Sequence, residues 1–138
     1  MKRPDRRRDI RWPQAWLEQA QSDLNLAKVA RNLEDVLPEQ AAFHAQQCVE
    51  KAIKAVLISR NTYFPPTHDI QALVDICQNA AIQFPDEASE SADLTPYAVG
   101  GRYLELEEPL SESDLEHGIE LATKVLAWAK SMVSEGPG

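Results

Sequence analysis

The run Ala41-Ala42-Phe43-His44-Ala45-Gln46-Gln47-Cys48-Val49-Glu50-Lys51-Ala52-Ile53-Lys54-Ala55-Val56-Leu57-Ile58-Ser59 decides the fold. Ala41, Ala42, Ala45, Cys48, Val49, Ala52, Ile53, Val56 and Leu57 recur at steps of three and four, the period of a helix with one buried face. The helix starts after Leu37-Pro38-Glu39 and stops at Asn61 to Pro66, because Pro65-Pro66 cannot continue it. N-terminal to it, Pro13 opens a first helix with Trp16, Leu17, Ala20, Leu24, Ala27, Val29 and Ala30 at helical spacing to about Asn32.

C-terminal to it, Thr67 is the expected N-cap of a third helix from His68 to about Gln78, with Ile70, Leu73, Val74 and Cys77 as its stripe. A short fourth helix is expected over Asp86 to Leu94. Thr95 to Pro109, with Gly100-Gly101 and two prolines, reads as a long functional or mobile loop. Ser111, followed by Asp114, resembles a capping box for a last helix running from Leu115 to Val133. No segment alternates strictly and none repeats. The expected fold is therefore an all-α, antiparallel bundle of four to five helices over residues 13–133. A basic flexible arm over 1–12 precedes it, and a disordered tail over 134–138 follows.

At 138 residues the chain suits one domain, and with 43% hydrophobic residues it can bury a core. The net charge of −8 argues against a surface coated in cations for duplex DNA or anionic lipid. The balance is uneven. Residues 1–12 hold six bases against two acids, leaving the remainder at −12, so the arm is either a nucleic-acid contact or a tail that offsets its own acidic domain. The arm has no apolar stretch of a secretory signal, and no run approaches a membrane span of about 18 residues. Cys48 and Cys77 lack metal or redox spacing, so buried reduced thiols in a cytoplasmic protein are expected.

On a wheel of 100° per residue with His44 at zero, the apolar side chains of the second helix fill about 20° to 220°, and Lys51, Gln47 and Lys54 fall at about −20°, −60° and −80°. Three groups able to carry positive charge thus share one stripe with Gln47. Such a stripe is either the solvated side of an amphipathic helix, with Glu50 and Lys54 as an ordinary i,i+4 ion pair, or an anion-binding groove. His44 and Cys48 have the i,i+4 spacing of paired metal ligands, but a third and fourth are missing nearby, so no metal and no cofactor is expected. Glu105 to Glu108 read as solvent-facing acids. His68-Asp69 either starts the third helix or shapes a site beside the Pro-Pro turn.

Taken in order, the block Phe43 to Leu57 with its Gln46-Gln47, Glu50-Lys51 and Lys54, then Thr67-His68-Asp69-Ile70 with Leu73, then Tyr97 and Arg102-Tyr103, resembles the HEPN domain (higher eukaryotes and prokaryotes nucleotide-binding) from about Trp16 to Met132. The resemblance implies a helical, homodimeric protein, often encoded beside a minimal nucleotidyltransferase as half of a two-protein, toxin–antitoxin-like module. It also implies binding of a nucleotide or RNA, with His44, Gln47, Lys51, Lys54, His68, Arg102 and Tyr103 as the ligand-binding set. Trp16, Trp128 and the small residues of the second helix, more than a bundle of this size needs internally, point to self-association as well.

Many members of that family are metal-independent ribonucleases that use an arginine, four to six residues, then a histidine. This chain departs from the signature. Arg102 is followed at the fifth, sixth and seventh positions by Glu107, Glu108 and Pro109, and seven residues separate Arg60 from His68. A general acid or base must lie within hydrogen-bond reach of the reacting oxygen. The leading expectation is therefore a binding and interaction protein. The alternative is an endoribonuclease toxin in which Arg102 works with His44 or His68.

Overall fold

A computed structural model describes residues 11–97 and 110–135. Arg102, Tyr103, Glu105 to Glu108 and most of the basic arm lie outside the described residues. Every element among the described residues is helical: α1 (Pro13–Ala30), α2 (Pro38–Ser59), α3 (Ile70–Asn79), a 3-10 segment (Asp86–Tyr97) and α4 (Glu112–Glu135). The all-α bundle expected from the apolar periodicity is the fold observed.

Both α1 and α2 begin with proline in the first turn, where its missing N–H is no loss. The start of α3 differs from expectation. Asp69, not Thr67, is the N-cap, its carboxylate accepting from the backbone of Gln71 at 3.0 Å and Ala72 at 3.4 Å. Thr67 Oγ1 instead accepts from the Asp69 backbone N–H, a small turn that leaves His68 just outside the helix. The expected fourth helix forms as a 3-10 run and continues to Tyr97. Its apolar residues are too sparse for an α-helical stripe, and Pro96 lies within it. Ser111 caps α4 as its spacing suggests, accepting from Asp114 N at 3.0 Å, and α4 continues to Glu135, past the expected end.

α2 and α3 end without glycine. Asn61 (φ 54°) and Ala81 (φ 58°) take left-handed backbone, and the bonds Thr62 N to Leu57 O, 2.9 Å, and Ile82 N to Cys77 O, 2.8 Å, close the last turns. The reversal after α2 brings His68 back alongside that helix.

α2 is the axis of the domain, packed against α1, α3, α4 and the 3-10 segment. Its Ala41, Ala42, Ala45, Cys48, Val49, Ala52, Ile53, Ala55, Val56 and Leu57 are all fully buried. Ile53 and Leu57, the largest of them, are each worth about 1.5–3 kcal/mol of transfer from water. Against α1 the order of contact is reversed, with Trp16 beside Lys54 and Asp23 beside His44 and Lys51, which is the geometry of an antiparallel hairpin. α4 runs along α2 in the same sense, so the antiparallel order expected of the bundle holds for α1 against α2 but not for α2 against α4. Glu39 meets Leu110, Cys48 meets Ala122 and Arg60 meets Met132. Gly118 admits the 3-10 segment to α4, since a Cβ there would stand 3.0 Å from Leu94 Cδ2.

Trp128 has an internal role: it stacks edge-on against Phe84 at 5.0 Å and donates to Gln83 O at 2.9 Å. The small residues of α2 are likewise consumed by the core. The apolar surplus lies elsewhere, at Leu26, Val29, Leu33 and Leu37, all 47–59% exposed around the end of α1 and the α1–α2 turn.

Candidate functional site

The polar stripe of α2 does not face open solvent. It closes onto two carboxylates outside the predicted set, Asp23 of α1 and Glu50 of α2 itself. His44 and Lys51 are two turns apart on one face of α2, and Asp23 sits opposite the gap between them. Its Oδ2 accepts from Lys51 Nζ at 2.7 Å and its Oδ1 from His44 Nδ1 at 3.1 Å. One carboxylate thereby holds both groups.

Glu50 lies further round the helix and deeper, its side chain 4% exposed. Oε2 accepts from Lys54 Nζ at 2.9 Å, and Oε1 accepts from His68 Nδ1 at 2.8 Å and Gln46 Nε2 at 3.1 Å. Gln46, fully buried, also donates to His68 O at 3.3 Å and accepts from Gln47 Nε2 at 2.7 Å, so every polar atom of its amide is used. The ammonium of Lys54 lies 5.8 Å from the Trp16 ring and 5.7 Å from that of Phe64, a partly apolar cage that favours a cation. Burial pushes the Glu50 carboxyl up, but the hydrogen bonds from Lys54, His68 and Gln46 outweigh it and hold the group below the ordinary carboxylate value.

The seven sequence candidates therefore fall into distinct places. His44, Gln47 and Lys51 are part-buried along the rim of this seam, and the His68 side chain, 59% exposed, stands at its edge. Lys54 is buried under Trp16 and Phe64, inside the seam and not on an open groove. Arg102 and Tyr103 lie outside the described residues. Arg60, the other arginine considered with His68, reaches to α4 and donates to Met132 O at 3.2 Å.

Cys48 turns away from His44 toward the Ala122 carbonyl, and burial, then the charge of Asp23, pushes its thiol up to about 12. Burial does the same to Cys77. Neither is a nucleophile at neutral pH. Among the described residues no three His, Cys, Asp or Glu side chains are grouped to hold a metal ion, and no helix is long and apolar enough to cross a membrane.

Chemically, each carboxylate can only accept, so each imidazole bound to it through Nδ1 must carry its proton there in the neutral ring, leaving the Nε2 lone pair. The seam thus holds two imidazoles in a defined tautomer, with a lysine beside each carboxylate. Gln46 was the readable signal for the buried half, since at about 200° it falls within the apolar arc of the wheel and a buried amide there demands partners.

The HEPN domain model matches residues 13–132, and the chain belongs to the HEPN domain family. Among solved structures it is similar to TT1696 from Thermus thermophilus (27% identity, TM-score 0.71, covering 87% of this chain and 97% of that one). It is equally similar in fold to ST0689, an archaeal HEPN homologue (26% identity, TM-score 0.71, covering 88% and 98%). A candidate toxin of Methanocaldococcus jannaschii, MJ1304, is 38% identical over 56 residues, a match that takes in 41% of this chain and 36% of the length of that relative.

Proposed function

We propose that this HEPN chain is the binding component of a two-protein, toxin–antitoxin-like module in the cytoplasm, taking a nucleotide or nucleic-acid phosphate at the rim formed by His44, Gln47, Lys51 and His68. The observation that carries the reading is the seam itself. Two carboxylates fix two imidazoles and a lysine along one edge of α2, and ordering these groups in advance reduces the entropy cost of binding. The likeness to a candidate toxin supports the module, and a minimal nucleotidyltransferase is the proposed partner.

Lys54 supports the site from within by neutralising Glu50; Arg102 and Tyr103 are proposed to add contacts. Lys51→Ala is expected to weaken nucleotide or RNA binding, measured by titration at low salt. Unchanged affinity would return the rim to a structural role. Self-association is part of the proposal, with the exposed Leu26, Val29, Leu33 and Leu37 as its apolar surface; sedimentation that finds only a 15.4 kDa species at micromolar concentration would remove it.

A second reading, an endoribonuclease, is favoured by one observation: His68 combines an exposed ring with a buried carboxylate on Nδ1, the arrangement of an oriented general acid or base. RNA incubated with the protein in EDTA, beside His68→Ala, His44→Ala and Arg102→Ala, separates the two. Cleavage lost in the variants would establish the enzyme.

A further inference from the structure

The charges of the seam cancel. Asp23 and Glu50 carry two negative charges, Lys51 and Lys54 two positive, and with both imidazoles neutral the sum is zero. An anion arriving in that state meets no net attraction from the four groups. It also meets Nε2 lone pairs, because the Nδ1 protons of both rings are committed to the carboxylates. Protonation reverses both properties. Each ring gains a positive charge and turns Nε2 from an acceptor into a donor, while Asp23 and Glu50 remain bound to Nδ1 and stabilise the cation.

The other charged groups near the seam are Lys28 on α1 and Lys130 on α4, whose fields reach Cys48, and Asp69 beside His68, which is occupied as the cap of α3. Histidine is the side chain that changes charge between about pH 5 and 8.

We infer that the rim is a proton-linked oxyanion site, binding a phosphate- or sulfate-class dianion with uptake of a proton at His44 and another at His68. This rests on the phosphate reading above and specifies how it is regulated: affinity rises as pH falls through the histidine range. The third histidine, His117, is an internal control. It is bound through Nε2 to Glu90 at the exposed face of α4 and the 3-10 segment, with no lysine among its partners.

The test uses sulfate, whose charge is constant between pH 6 and 8, so any pH dependence comes from the protein. Imidazole resonances of the full chain are followed by NMR during sulfate titration at constant ionic strength. The expected result is binding that shifts His44 and His68 but not His117, with affinity falling at least about tenfold from pH 6 to pH 8, since each fully linked proton is worth up to tenfold per pH unit. His44→Gln and His68→Gln should each remove about half of that pH dependence. Equal affinity at pH 6 and 8 would overturn the proton linkage and leave the phosphate reading standing. No response of His44 or His68 at either pH would overturn both, and the wild-type series alone decides between these outcomes.

Discussion

The α1–α2 seam and the face between the 3-10 segment and α4 carry the same kinds of pairs in opposite surroundings. In the seam Glu50 joins Lys54 at 2.9 Å and His68 at 2.8 Å with its own side chain 4% exposed. On the other face Glu90 joins His117 at 2.7 Å and Glu87 joins Lys124 at 3.6 Å, with the carboxylates 63% and 75% exposed. Distance does not separate the histidine pairs; solvent does. In water a carboxylate released from its partner is rehydrated and little is lost. In the seam, removing Glu50 leaves a lysine ammonium enclosed by Trp16 and Phe64 without a counter-charge, and the cost is desolvation that nothing offsets.

The largest effect should follow Glu50→Ala, destabilising by about 3–5 kcal/mol in urea unfolding. The double replacement Glu50→Leu with Lys54→Met should recover most of that loss, because it removes the charge as well as its partner. If the single and double variants are equally unstable, shape and not charge dominates the seam. Asp23→Ala comes next, at about 1.5–3 kcal/mol, because it frees two charge-assisted hydrogen bonds at a site that is only part-buried. Glu90→Gln on the other face should change stability by less than about 0.5 kcal/mol.

Acid sharpens the same contrast. Glu50 has its folded pKa held below the ordinary value, so its contribution is present above the unfolded carboxylate pKa of about 4.3 and is lost as pH falls through the lower folded value. The stability gap between wild type and Glu50→Gln should accordingly shrink below about pH 4.3, followed by thermal unfolding.

The helices were legible in the sequence because a core face writes itself as a period: the apolar spacing of 41–57 locates α2, and Pro13, Pro38, Pro65-Pro66 and Ser111 mark its neighbours. Local chemistry was legible less well. Thr67 and Asp69 both have the side chain of an N-cap, and only backbone geometry selects Asp69. The stripe of His44, Gln47, Lys51 and Lys54 was found on the wheel, but the rotation between Lys51 and Lys54 separates a rim position from a buried one, and a wheel does not show where Trp16 and Phe64 lie. Asp23 could not be assigned from sequence at all. Its partnership with His44 and Lys51 depends on the register of two helices joined by a turn, which follows from the fit of Ala20, Leu24 and Ala27 against α2 and leaves no mark in spacing.

The imidazole tautomers, read from nitrogen chemical shifts of the three histidines at pH 8, test the seam most directly. If Asp23 and Glu50 hold the two rim rings as described, His44 and His68 carry their proton on Nδ1, and His117, bound through Nε2, carries it there. Nε2–H tautomers at His44 and His68, the same as at His117, would contradict it and reduce the seam to a solvated helix face.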